Sequence, residues 1–384
     1  MNGEVLRIGF VPLLDAAPLI IADRMGFASE EGLVFELIAA PSWAALRDML
    51  ADGVVDAAHV LSPLPIALAL GLGGRAVEFD VLSVLSINGE VIGVSPKLAA
   101  KMGPGSDAFS IGHALLNASG PELRIGVPFP FSMHAELVRY WLDGLDRDLP
   151  PGLSVETVPP SQMGAALAAG AIDAFAVGEP WGSLAAASGQ GALILPGAAI
   201  WGFAPEKVLA VRRGWAEADA RAASLLRAVW RAGRWLATPA NRMTAAEIVA
   251  QSGAMDVSAE MIELILSGAM QVRDGAWPVT NLIAFHAGAA TFPWRSQAAW
   301  IAARLARRHG LDEAAAIAAG KRVFRSDLYR AFLAETGADM PGASERLEGS
   351  LAHPTAVASR RGELILPADR FFDGQVFDFG EPGR

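Results

Sequence analysis

The chain reads as an α/β protein made of two similar halves, and the halves reveal themselves by repetition. Gly170-Ala171-Ile172-Asp173-Ala174-Phe175-Ala176-Val177-Gly178-Glu179-Pro180 follows the same pattern, G-x-x-D-A-x-x-V-x-x-P, as Gly53-Val54-Val55-Asp56-Ala57-Ala58-His59-Val60-Leu61-Ser62-Pro63. Three upstream matches keep the same order. Arg7-Ile8-Gly9 pairs with Arg124-Ile125-Gly126, Gly32-Leu33-Val34-Phe35-Glu36 with Gly152-Leu153-Ser154-Val155-Glu156, and Pro41-Ser42-Trp43 with Pro160-Ser161-Gln162. Such a series predicts two βαβαβ units. Two like lobes facing each other suggest a clamshell with one ligand between them, at the carboxyl ends of the strands.

Composition agrees and narrows the function. The 384 residues are long for one domain and natural for two lobes with an appendix, and 52% hydrophobic content supplies ample core. With no cysteine, disulfides, thiolate nucleophiles, iron–sulfur clusters and cysteine zinc sites are excluded. A net charge of −10 and the lack of a dense basic run argue against direct contact with nucleic acid. No uncharged apolar run reaches 18 residues, so no membrane span is expected; Val54 to Leu72 comes closest but contains Asp56, His59, Pro63, Pro65 and Gly71. The strand pattern Val5–Val11 follows Met1-Asn2-Gly3-Glu4 at once and leaves no room for a secretory signal, so a cytoplasmic location is expected if the protein begins at Met1.

Along the chain, Pro12-Leu13-Leu14-Asp15-Ala16-Ala17-Pro18 is the loop after the first strand. Asp15 reads first as the cap of a helix from Ala17 to Met25, ended by Gly26, and second as a group near the ligand. Trp43 opens a helix, where outward-pointing amides favour an anion; its counterpart is Gln162, which favours a pocket wall over a core position. Val77 to Ile87 is a strand, followed by Asn88-Gly89-Glu90 and a second run, Val91 to Val94. Asn-Gly there marks either a hairpin or the crossing from lobe one to lobe two. Residues 96–121 form a helix and a Gly/Ser/Pro-rich loop without evident chemistry. Ser132 is placed to cap the helix Ala135 to Asp143, with His134 in its first turn, as either a structural or a ligand-facing histidine. The strand Ile172 to Val177 ends at Gly178 and Pro180. Lys207, before the strand Val208 to Val211, would by itself read as a surface lysine. Arg227, Trp230, Arg231, Arg234 and Trp235 lie on one helix, which either packs on its tryptophan face or docks a partner. Helices are expected at Ala245–Gln251, Ala298–His309 and Ser326–Glu335.

The segments SWAALRDML, DGVVDAAHVLSPLP, INGE, the helix with His134, Tyr140 and Trp141, VPPSQM, IDAFAVGEPW, PEKVLAVR, Trp294-Arg295-Ser296-Gln297 and Phe371-Phe372-Asp373-Gly374 together carry a resemblance. Over nearly its whole length the chain resembles the nitrate- and bicarbonate-binding proteins of cyanobacterial ABC importers. The resemblance implies a periplasmic-binding-protein type II clamshell: two α/β lobes with mixed sheets plus a mainly helical C-terminal extension. Lobe one would comprise 1–90 and 200–240, lobe two 91–199, and the extension 241–384, wrapping lobe one. Because those relatives are exported lipoproteins, the missing signal makes the chain similar to the cytoplasmic nitrate-sensor branch (NasS-like), which restrains an RNA-binding antiterminator partner (NasT-like) until ligand arrives.

In the nitrate-binding members a tryptophan, a glutamine, a glycine amide, a histidine and a lysine hold the anion. Carried across by motif, these imply Trp43, His134 and Lys207, with Gly178 or Gly89 as the glycine. A planar anion with only acceptors needs such donors and a flat wall. The glutamine position holds Glu90. An ionised glutamate repels an anion by about 1–4 kcal/mol at ~4 Å. Glu90 therefore pairs with Lys207 or His134, or is protonated, or meets a ligand that carries a donor, as bicarbonate does; a one-residue slip onto Asn88 or Gly89 is a further alternative. Three function classes follow: a cytoplasmic nitrate/nitrite sensor, an importer's binding protein whose signal precedes this sequence, and an enzyme. Catalysis is not expected, since there is no G-x-S-x-G, no metal-spaced cluster and no nucleophile beside His134. Neither cofactor nor metal is expected.

Overall fold

The computed structural model describes residues 3–273, 275–278 and 282–380. Ten strands build two mixed sheets: β1 (Glu4–Phe10), β2 (Leu33–Ala39), β3 (Ala57–Leu61), β4 (Phe79–Asn88), β5 (Glu90–Val94), β6 (Glu122–Val127), β7 (Gly152–Thr157), β8 (Ala174–Gly178), β9 (Ala192–Pro196) and β10 (Pro205–Arg212). The first sheet runs β4-β10-β3-β1-β2, with Ile283–Ala284 added outside β4, and the second runs β9-β5-β8-β6-β7. Each sheet has a parallel trio followed by antiparallel partners. This is the two-lobe clamshell expected from the repeat, with the mixed sheets that the resemblance implied.

The repeated aspartates explain why the two trios share one register. Asp56 accepts the Arg7 amide through Oδ2 at 3.0 Å and returns its own amide to the Arg7 carbonyl at 2.8 Å. Asp173 does the same with Arg124, at 2.9 Å and 2.8 Å. Each pins the entry of a central strand to its neighbour, so Ile8 faces Ala57 as Ile125 faces Ala174. With Asp173 held this way, β8 begins at Ala174, two residues later than the apolar run suggests.

Asn88-Gly89 is a crossing between lobes. β4 ends at Asn88 in the first sheet and β5 begins at Glu90 in the second. Both turn residues have positive φ, 55° for Asn88 and 103° for Gly89, the left-handed region that these two residue types tolerate best. The chain returns through residues 197–204 into β10. The two crossings lie side by side, with Asn88 donating its amide to the Ala204 carbonyl at 2.9 Å and accepting the Ala204 amide on Oδ1 at 3.2 Å.

The helix Arg221–Leu236 buries Leu225, Leu226, Val229 and Trp230. Its arginines are used locally: Arg227 pairs with Glu31 at 2.6 Å, Arg231 with Glu30 at 3.0 Å, and Arg234 lies over the Trp230 ring. The packing reading of this helix accounts for its pattern. Beyond it, the chain forms the helices Arg242–Gln251, Ala259–Leu266, Arg295–His309, Glu313–Val323 and Ser326–Phe332. This segment touches both lobes. Gln297 donates to the Phe203 carbonyl at 3.1 Å, Arg304 pairs with Asp143 at 2.9 Å, Arg308 pairs with Glu136, and Tyr140 donates to Asp373 at 2.9 Å.

Candidate ligand-binding site

A cluster of fully enclosed polar side chains lies where the lobes meet. Lobe one supplies Asp15 after β1, Trp43 from the helix Trp43–Ala51, His59 in β3, and Glu206 and Lys207 in β10. Lobe two supplies Glu90 at the start of β5, His134 in the helix Met133–Asp143, and Gly178 at the end of β8. Asp15, Trp43, His59, Glu90, His134, Glu206 and Lys207 are all buried. Asp15, Trp43, His134 and Gly178 stand at or after carboxyl strand ends, and the antiparallel β5 and β10 bring Glu90 and Lys207 to the same edges opposite Gly178 and Leu61, where an open α/β sheet presents its ligand surface.

Lys207 is the hub. Its Nζ lies 2.6 Å from Asp15 Oδ2, 2.5 Å from Glu206 Oε1, and 5.5 Å from the centroid of the Trp43 ring. Consecutive residues in a regular strand point to opposite faces, so Glu206 and Lys207 should diverge. The ladder between β10 and β4 shifts register on both sides of Lys207, and this irregularity lets the two side chains meet. Asp15 also accepts or shares a proton with His59 Nε2 at 2.8 Å. It does not cap its helix: no side-chain cap bond forms there, because the carboxylate is occupied by Lys207 and His59. Ser132 does cap its helix, accepting the Ala135 amide at 3.1 Å, and so aims His134 inward from the first turn.

Across the gap, His134 Nδ1 lies 3.2 Å from Glu206 Oε1, at angles that make no hydrogen bond. A Cβ on Gly178 would come 2.7 Å from Leu13 Cδ2, 3.6 Å from His134 Nε2 and 3.7 Å from Asp15 Oδ2, so only glycine lets the lobes approach this closely. Two further contacts join the lobes: Leu14 donates its amide to the Glu179 carbonyl at 2.9 Å, and Trp181 Nε1 donates to the Pro12 carbonyl at 3.1 Å. Gly89 stands outside the cluster, at the crossing beside Ile283, where its carbonyl accepts the Glu179 amide at 2.9 Å. Trp43, Glu90, His134, Gly178 and Lys207 are thus brought together and Gly89 is not.

The cluster leaves many polar atoms without partners. Trp43 Nε1, His59 Nδ1, both oxygens of Glu90, both ring nitrogens of His134 and Glu206 Oε2 are buried and make no hydrogen bond. Native proteins leave only a few such groups per hundred residues, and a concentration of them in one place marks a site built for something that bonds to them. Burial pushes Asp15 up, but Lys207 and His59 together prevail and hold its carboxyl at about 2. Burial pulls Lys207 down, but Asp15 and Glu206 outweigh it and keep it charged. Glu206 is pushed up to about 7 by burial against the pull of Lys207. Glu90 is raised well above its ordinary value by burial and then by Glu206. His134 is held well below its ordinary value, first by burial and then by Lys207, and burial also lowers His59. At neutral pH the histidines are neutral, and the Asp15–Lys207 pair cancels. His59 uses its one N–H on Asp15, and N–H groups from Trp43, His134 and Lys207 remain to face an electron-rich guest.

His59 and Glu206 are members that the sequence reading leaves out, whereas Asp15 is read there first as a cap and second as a group near the ligand. Signals exist for the two left out: His59 interrupts a wholly apolar strand, and Glu206-Lys207 is a charged pair inside the apolar run Phe203 to Val211.

Two lobes joined by paired crossings, with a buried polar cluster between them, define a ligand-binding clamshell of the periplasmic-binding-protein type. Residues 2–250 match the model of the NMT1-like family, and the chain belongs to that family. It is similar to the nitrate/nitrite binding protein NrtA of Synechococcus elongatus, with 32% identity over 98% of this chain and 84% of that protein. Similarity to the bicarbonate-binding protein CmpA of the same organism is 29% over 89% of this chain and 81% of that one. The crystal structure of the periplasmic nitrate-binding protein NrtA from Synechocystis PCC 6803 superposes with a TM-score of 0.85 at 26% identity, covering 99% of this chain and 97% of that one. Among the described residues, no helix is long and apolar enough to cross a membrane, and no group of three or more His, Asp or Glu side chains is arranged to hold a metal ion.

Proposed function

We infer that the protein binds a small oxyanion, nitrate or nitrite or alternatively bicarbonate, between its lobes, as a substrate-binding protein of the ABC-importer type. The observation that carries this reading is the convergence, from both lobes, of buried N–H groups without partners around one lysine. Such a set suits a guest that offers acceptors in several directions and is small enough to be wholly enclosed. The relatives' ligands support the same size and charge. Binding, without catalysis, is the activity: the cluster pairs no nucleophile with a general base.

A second reading keeps the site and changes what reads it. In a cytoplasmic sensor, anion-driven closure would alter affinity for an RNA-binding antiterminator protein, and that coupling would act in both directions. The enclosed site suits either outlet, since ligand and lobe position are tied together in both.

Titration calorimetry with nitrate, nitrite and bicarbonate tests the shared core of the proposal. Wild type is expected to bind at least one of the three, and Lys207→Ala none. No binding by wild type sinks the anion reading. Fractionation of the full-length protein in its native host, with capture of an RNA-binding protein that releases on anion addition, separates the sensor from the importer component.

A further inference from the structure

Glu90 is the least explained group in the cluster. It is buried, and neither carboxyl oxygen makes a hydrogen bond. It lies directly opposite Gly178 in the β5–β8 ladder. Directly paired residues point their side chains to the same face, and the Gly178 face looks toward His134 Nε2 and Asp15 Oδ2. The Glu90 carboxyl lies against Gly197, the first residue of the return crossing, where a Cβ would come 2.0 Å from Oε1, so only glycine there leaves it room. Its place opposite Gly178 in the ladder sets it beside the ligand space.

The charges around it decide its form. Glu206 and Lys207 face it from β10, Asp15 from the loop after β1, and His134 from the helix Met133–Asp143. His59 stands behind Asp15, and Glu179, next along from β8, turns away to accept from Ser183. Lys207 is the only cation of the set and is already shared by Asp15 and Glu206. A third carboxylate here, together with a bound anion, would crowd negative charge around a single lysine in a fully buried site.

We propose that Glu90 enters the ligand-bound state as a neutral carboxylic acid and donates its O–H to the anion, so that capturing the anion also captures a proton. This rests on the anion-binding reading and adds a specificity residue to it. In an open, hydrated cleft the carboxyl loses its proton at neutral pH. Closure removes water, the proton returns from solvent, and the acid then serves as a donor where an ionised glutamate would repel. Proton and anion are linked ligands, each strengthening the other. Protonated Glu90 is the binding form, so affinity is greatest at low pH and falls as pH rises past the open-state value of the carboxyl.

The experiment is nitrate calorimetry on wild type and Glu90→Gln, from about pH 6 to about pH 8.5, in buffers of differing ionisation enthalpy; nitrate itself does not titrate in this range. Wild type is expected to weaken by up to about tenfold per pH unit and to take up close to one proton per nitrate. Glu90→Gln has a permanent N–H donor at the same place, so it should bind at least as tightly, without slope and without proton uptake. A flat wild-type profile overturns the proposal, as does a slope that survives in Glu90→Gln, since Glu206 or His134 would then be the titrating group. Loss of nitrate binding in a Glu90→Gln protein that melts like wild type also overturns it. Binding of bicarbonate but not nitrate overturns it too, because the carboxylate would then be accepting the guest's own proton. Failure of wild type and variant to bind nitrate, nitrite or bicarbonate at any pH removes the anion reading itself.

Discussion

Lys207 has no exposed surface, and its ammonium is balanced only by Asp15 and Glu206. Removing it leaves two buried carboxyls facing each other. Lys207→Met is therefore expected to cost about 3–5 kcal/mol at neutral pH in denaturant melts, the usual consequence of breaking a buried pair from one side. Glu179 makes a separate prediction. Burial raises its carboxyl from 4.5 to about 7, with only the Ser183 amide and hydroxyl holding it down. A raised carboxyl keeps its proton longer in the folded chain than in the unfolded one. Its stabilising contribution is complete below about pH 4.5 and is lost as pH rises through about 7, an effect on the order of 3 kcal/mol. Melts of the ligand-free protein should drop between those two values, and Glu179→Gln should drop less. A wild-type midpoint that climbs over that interval would contradict the assignment.

Strands β8 and β10 show how the site is assembled, and why only part of it could be read in advance. Gly178 is legible because the repeat ends there and Pro180 stops the strand. What it does is spatial: it leaves room for Leu13 from the other lobe. Gly178→Val should leave the lobes folded, with a melt near wild type, while weakening anion binding tenfold or more in calorimetry by holding the jaws apart. Glu206 was hidden for a different reason. In a strand with regular alternation, a charged residue beside Lys207 belongs to the opposite face, and only the register shift against β4 turns both toward the ligand space. Asp15 was readable as a cap because aspartate after a strand and before a helix usually is one. Its actual partners, His59 and Lys207, are 44 and 192 residues away along the chain, a pairing no local pattern announces. The two-lobe fold was legible for the opposite reason: Asp56 and Asp173 make the same local bonds, and local bonds leave a repeated string.

The helix Arg295–His309 ties the C-terminal segment to the lobe that carries His134. Arg308 pairs with Glu136, two residues beyond His134, and Arg304 pairs with Asp143 at the other end of the same helix. Glu136 is buried, and burial raises its carboxyl against the pull of Arg308. Arg308→Ala should lower stability by about 3 kcal/mol at neutral pH, and by less near pH 5, where Glu136 can take a proton; urea melts at the two pH values compare them. An equal loss at both would mean that the arginine acts through packing alone.

The two crossings between the lobes are bonded to each other at Asn88 and Ala204. A single linker would let one lobe swivel freely, but a bonded pair bends like the spine of a book and resists twisting. Opening then has essentially one direction, and each return brings the same wall residues opposite one another without a search. Leverage follows as well: a guest that shifts the inner faces only slightly swings the outer rims much further. A second protein that straddles both rims would feel that swing while never touching the anion.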